Sequence, residues 1–92
     1  MERHCFIIMY DLRLPGRDYA QLHQAIKSFG IWGKITESSW AVVSTMTAEN
    51  IRNFLLQFID ANDRLMVIQS GKKAAWHNGL ANSDWLKQNL IL

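Results

Sequence analysis

The chain has 92 residues, 49% apolar and 20% charged, with a formal charge of +2. That is the make-up of one globular domain, long enough to fold without disulfide or metal staples. It argues against a membrane-spanning chain, since no apolar run approaches the length of a span. It also lacks the dense positive charge that announces a phosphate binder, although a local cluster can bind where net charge is silent.

Cys5 is the single cysteine, which rules out an internal disulfide and suits a reducing cytoplasm. Met1-Glu2-Arg3-His4 leads into an apolar run too short for a signal-peptide core, with no small-residue cleavage site, so a cytoplasmic chain is expected. Residues 5 to 10 are apolar without alternation and predict a strand buried on both faces, central in its sheet. Asp18 is placed to cap a helix starting at Tyr19, with Gln21 as its capping-box partner. Tyr19, Leu22, Ile26 and Phe29 then recur at helical spacing, and Gly30 supplies the left-handed residue that ends a helix. Residues 31 to 37 suit a strand, Ser38 and Ser39 a hairpin bend, and residues 40 to 45 the returning strand. Thr47 caps a second helix with the stripe Ile51, Phe54, Leu55, Phe58 and Ile59. Residues 60 to 63, "DAND", form a turn, and Arg64 to Ser70 a fourth strand. Gly71, Lys72, Lys73, Ala74, Ala75 and Trp76 follow. A loop then leads to a short terminal helix capped by Ser83, carrying Trp85, Leu86 and Leu90.

The order is strand, helix, strand, strand, helix, strand and a tail, which is the split βαβ or ferredoxin-like pattern. It predicts a single α+β domain over 1–92, its core at about residues 5 to 70 and a C-terminal extension from about residue 71. Two helices would cover one face of a four-stranded antiparallel sheet. The other face needs a cover, because Trp32 and Trp40 are too large and apolar to leave it in water. A symmetric homodimer is the commonest solution. The segment with Trp76, Trp85 and Leu90 would help, in its own subunit or across the dimer.

The strand ending in Tyr10-Asp11, the hairpin "ITESSW" (residues 35 to 40) and the last strand "DRLMVIQSG" (residues 63 to 71) resemble the small ferredoxin-fold CRISPR-associated endoribonucleases, the second of the two adaptation subunits, and the related VapD-like toxins. Ala74-Ala75-Trp76 and Ser83-Asp84-Trp85-Leu86 bring the chain nearer to the stand-alone members of that superfamily. The resemblance covers roughly the whole chain. It implies a homodimer packed sheet face to sheet face, with an aspartate at the end of each first strand facing its mate across the axis. That position is Asp11. The resemblance further implies one divalent cation, Mg2+ or a similar ion, shared by the pair for phosphodiester hydrolysis. In the adaptation complex the same fold instead serves as a scaffold that grips duplex DNA. Relatives often carry a basic run after the aspartate. Here only Arg13 and Arg17 stand there, around Leu14-Pro15-Gly16.

Each candidate has an ordinary explanation beside the functional one. Asp11 is either the catalytic and metal-holding carboxylate or a strand end that accepts turn hydrogen bonds. Two aspartates suit magnesium, which keeps several waters and takes one or two carboxylates. Arg13 and Arg17 are solvated by default, yet a guanidinium also holds phosphate bidentately. Lys72 and Lys73, near Trp76 and His77, form a second candidate nucleic-acid surface; the simpler account packs Trp76 on the sheet and leaves the lysines solvated. Tyr10 enters as half of the Tyr-Asp motif. Ser39 enters at the hairpin, where a turn role outweighs a nucleophilic one because no histidine lies near in sequence. His4 and His77 show no metal spacing, and His23 sits at the boundary of its helix stripe. The leading expectation is a nucleic-acid-interacting homodimer, with RNA or DNA as partner and metal-dependent cleavage at Asp11. The alternative is a non-enzymatic dimeric scaffold or protein-interaction module of a defence or toxin-antitoxin-type system.

Overall fold

The computed structural model describes residues 2–13, 19–71 and 73–90. The elements run β1 (His4–Asp11), α1 (Ala20–Lys27), β2 (Ile31–Thr36), β3 (Ser39–Ser44), α2 (Ala48–Leu55), a 3-10 turn (Leu56–Phe58), β4 (Arg64–Gln69) and α3 (Ser83–Asn89). The four strands form one antiparallel sheet in the order β2-β3-β1-β4. This is the ferredoxin-like α+β arrangement that the element order predicts. β1 lies inside the sheet between β3 and β4, as its uninterrupted apolar run requires.

Strand alternation divides the apolar residues between two faces. Phe6, Ile8 and Tyr10 of β1 and Trp40 and Val42 of β3 pack under Leu22 and Ile26 of α1 and Ile51 and Leu55 of α2. All the expected stripe residues pack in or against this core, although Tyr19 and Phe29 flank α1 and Phe58 and Ile59 follow α2. Thr47 caps α2, its hydroxyl accepting from the Asn50 amide at 3.1 Å. Gly30 has φ +88°, the left-handed conformation that costs glycine nothing. α1 begins at Ala20, with Tyr19 in the capping position and no side-chain cap bond; the expected cap, Asp18, lies outside the described residues. α2 gives way to the 3-10 turn after Leu55, and Phe54 stacks edge-on against Phe29 and Phe58.

The opposite face holds Cys5, Ala41 and Val43, covered by Leu86 and Leu90 with Trp76 and Trp85 packed around them. The tail therefore covers its own sheet. Gly33 and Ala41 are register partners and make a shallow bed for it. A Cβ at position 33 would lie 2.9 Å from the Trp85 ring, so glycine is what lets the indole lie on β2. α3 is capped by Asn82, whose side chain accepts from the Asp84 amide; the expected cap, Ser83, is instead its first residue.

Trp32 and Trp40 do not lie on the face that needed a cover. Trp40 belongs to the helix-side core, and Trp32 stands beside it, ring centroids 5.4 Å apart. The sequence gives no period in β3, where all residues but the last are buried, so alternation could not assign a face. What stays open on the tail side is its β1–β4 half. Met66 and Ile68 are exposed there, next to half-buried Met9, the register partner of Met66.

Candidate functional site

Asp11 is the last residue of β1, in register with Arg64, the first of β4. Its odd position puts it on the tail side of the sheet with Cys5, Ile7 and Met9. Its Oδ2 accepts from Arg64 Nη1 at 3.0 Å and from Arg13 Nη1 at 3.2 Å. The carboxylate is 54% exposed and both arginines are exposed too, so the two ion pairs are solvent-screened and contribute little to stability. Met9, Asp11, Arg64 and Met66 line a shallow hollow of about 280 Å³.

The loop after Asp11 is held by a different aspartate. Asp63 Oδ1 accepts from the backbone amide of Arg13 at 2.6 Å. The Tyr19 hydroxyl donates to both oxygens of Asp63, at 3.1 and 3.0 Å, and the Asp60 amide donates to Oδ2 at 2.8 Å. Asp63 thus fastens both ends of the connection from β1 to α1 and closes its own turn. Asp11 takes no backbone amide among the described residues. Asp63 has a turn-holding role here; the same role for Asp11, toward residues 14–18, lies outside the described residues.

The other candidates scatter. Tyr10 points to the helix side, away from Asp11, and is buried. Its hydroxyl accepts from Trp40 Nε1 at 2.9 Å and lies 3.4 Å from His23 Nε2. Burial, the largest cause, raises the pKa of its phenol; the Trp40 bond opposes this, and Glu37 adds to it. Ser39 is buried at the start of β3 with its hydroxyl 2.6 Å from that of Thr36. It closes the hairpin structurally. Lys73 is exposed and follows the far end of β4, where the Ser70 amide bonds the Cys5 carbonyl. Six strand residues, roughly 20 Å, separate that end from Asp11. Arg17 and Lys72 lie outside the described residues. Trp76 packs on the sheet, half-buried, as the simpler account expects.

Arg64 and Asp63 were missed by the sequence reading. Opposite charges at the ends of two strands that pair hint at the first. The second stands in the turn at residues 60 to 63 and bonds the Asp60 amide there, but its other partners lie 44 and 50 residues away, beyond any local signal.

A divalent cation would meet one carboxylate per chain here, already shared by two guanidinium groups. Among the described residues no group of three or more His, Cys, Asp or Glu side chains gathers. The donor set suits magnesium only when a second Asp11 is supplied by a second chain. No helix among the described residues is long and apolar enough to cross a membrane.

No protein-family model matches the chain, and no solved structure matches it.

Proposed function

We propose that the chain is a nucleic-acid-interacting homodimer, in which two Asp11–Arg13–Arg64 clusters stand at the rim of a shared sheet face and contact a phosphate backbone. One observation carries the reading. Asp11 is exposed at the end of an interior strand, pairs with two guanidinium groups, and accepts from no backbone amide among the described residues. A guanidinium binds phosphate oxygens bidentately and more weakly hydrated than an ammonium. Asp11 keeps the two forks side by side until a phosphate competes for them. The neighbouring Met9, Met66 and Ile68 supply the apolar area that two copies would cover together. A lone, buried cysteine suits a cytoplasmic setting.

Metal-dependent phosphodiester cleavage is the second reading, favoured because Asp11 stands on the face that two chains would share. When bound between two Asp11 carboxylates, Mg2+ or a similar cation would polarise a phosphoryl oxygen and activate a water. Arg13 and Arg64 would then turn from Asp11 to the phosphate. The non-enzymatic alternative, a dimeric scaffold or protein-interaction module, draws on the weak net charge of +2.

Salt titration of binding to RNA and to duplex DNA tests the proposal. Affinity should fall steeply with salt, by a log–log slope of about −0.7 to −0.9 for each phosphate held. Absence of binding at low salt removes the nucleic-acid reading. The cleavage reading is tested separately with Mg2+ and Asp11→Asn, which should abolish cleavage in a folded protein. Cleavage retained by a stable Asn variant removes Asp11 as the catalytic carboxylate, and a wild type that binds without cleaving in Mg2+ leaves gripping without chemistry.

A further inference from the structure

Trp32 is an unusual residue to leave in water. It sits on the edge strand β2, 38% exposed, although its neighbour Trp40 is almost wholly buried. Two ammonium groups attend the pair. Lys27 Nζ lies 5.2 Å from the Trp32 ring centroid and Lys34 Nζ 5.5 Å from that of Trp40. Lys27 closes the last turn of α1, where a cation complements the helix end. That explains a lysine at 27 but not an exposed indole beside it. Lys27 makes no ion pair among the described residues. Lys34 has only Glu37, at 3.8 Å and itself 92% exposed, a pair too screened to bind the ammonium firmly.

The indole is also firmly backed. Trp40 is fixed by its N–H bond to the buried Tyr10 hydroxyl, and Trp32 rests on it at an interplanar angle of 57°. Beyond Trp32, a groove of about 300 Å³ runs over the β2 edge between Lys34, Leu80, Asn82 and Trp85. An indole packed at a tilt on Trp40, with Lys27 Nζ over its own ring and Lys34 Nζ over that of Trp40, suits a base that displaces the Lys27 ammonium from the ring onto a flanking phosphate. The base must be unpaired, because the faces of bases in a duplex are occupied by their own neighbours.

We propose that Trp32, with Lys27 and Lys34, forms a stacking platform for single-stranded nucleic acid. The indole takes one base, and the ammonium groups take the adjoining phosphates. The inference rests on the nucleic-acid reading and gives it a second surface, separate from Asp11. Trp32 is level with Phe6 across the sheet, on the helix side, whereas Asp11 lies on the other face at the end of β1.

The test measures fluorescence anisotropy of a labelled oligouridylate, an oligothymidylate, an abasic strand of equal length and a duplex, for the wild type and variants. Trp32→Ala should weaken binding of both base-bearing single strands by about 5- to 150-fold, the range expected for one lost stack, and leave duplex binding unchanged. Trp32→Phe, which keeps a ring, should retain most of the affinity and also serves if the alanine variant fails to fold. The Lys27→Gln, Lys34→Gln double variant should flatten the log–log salt slope by about 1.4, two phosphates' worth. A preference for oligouridylate would assign RNA, and equal binding any single strand; both keep the platform. Single-strand affinity unchanged in Trp32→Ala, or an abasic strand bound as tightly as oligothymidylate, overturns the platform while duplex binding keeps the broader reading. A changed molar mass in Trp32→Ala with unchanged oligonucleotide affinity would make the groove a contact for a second copy and overturn it as well. No binding of any nucleic acid by the wild type overturns both.

Discussion

Two aspartates at neighbouring points of the sheet have different duties, and the difference decides what each substitution should do. Asp63 accepts from three donors, the Arg13 amide and Tyr19 hydroxyl far away in sequence and the Asp60 amide in its own turn, so its removal takes this acceptor from two amides and a hydroxyl. Asp63→Ala should cost roughly 2 kcal/mol or more, read from urea unfolding. Among the described residues Asp11 meets only exposed guanidinium groups, and Asp11→Asn should change stability by less than about 1 kcal/mol. An Asn variant as unstable as Asp63→Ala would return Asp11 to a structural role. Cys5 makes a third case. It is fully buried in β1, and burial pushes its thiol up to about 11. A thiol reagent near neutral pH should label it only through unfolding, with labelling rates that follow the opening of the sheet. Prompt labelling in the folded protein would contradict the covered tail-side face.

At the scale of elements, the order of strands and helices was readable because each helix carries its stripe and its punctuation. Thr47 and Gly30 do what their residue types predict. The faces of the sheet were not readable. β3 is buried on both sides, and a register shift between Lys34 and Thr36 interrupts the alternation of β2. The tryptophans thought to need a cover therefore proved to lie on the helix side. The pairing of Asp11 with Arg64 was equally hidden, because register follows from the whole sheet and not from either strand. The tail's docking rests on a feature that can be tested directly. Gly33→Ala would drive a methyl into the Trp85 ring and should cost about 1–3 kcal/mol by overpacking. Leu86→Ala, at a position 1% exposed, should cost about 2–5 kcal/mol through the cavity it leaves. Thermal or urea unfolding checks both, and wild-type stability in either would mean that the tail does not dock as described.

For the whole molecule, the tail changes the argument for a dimer without removing it. α3 and its loop cover the β2–β3 half of the face from within the chain. The β1–β4 half keeps Met66 and Ile68 exposed beside Asp11 and Arg64. A dimer through this half would be smaller than one through an entire naked sheet, and its rim would be charged. Met66 is 55% exposed, so Met66→Glu should leave the monomer fold intact while placing two carboxylates in the shared contact. The most direct test is the molar mass in solution, by light scattering at micromolar concentration, of the wild type beside Met66→Glu. A dimer joined through Met66 should give twice the 10.7 kDa chain mass for the wild type and a shift to the single-chain mass for the variant. A wild type that stays at the single-chain mass, or a variant that remains fully dimeric, would contradict it.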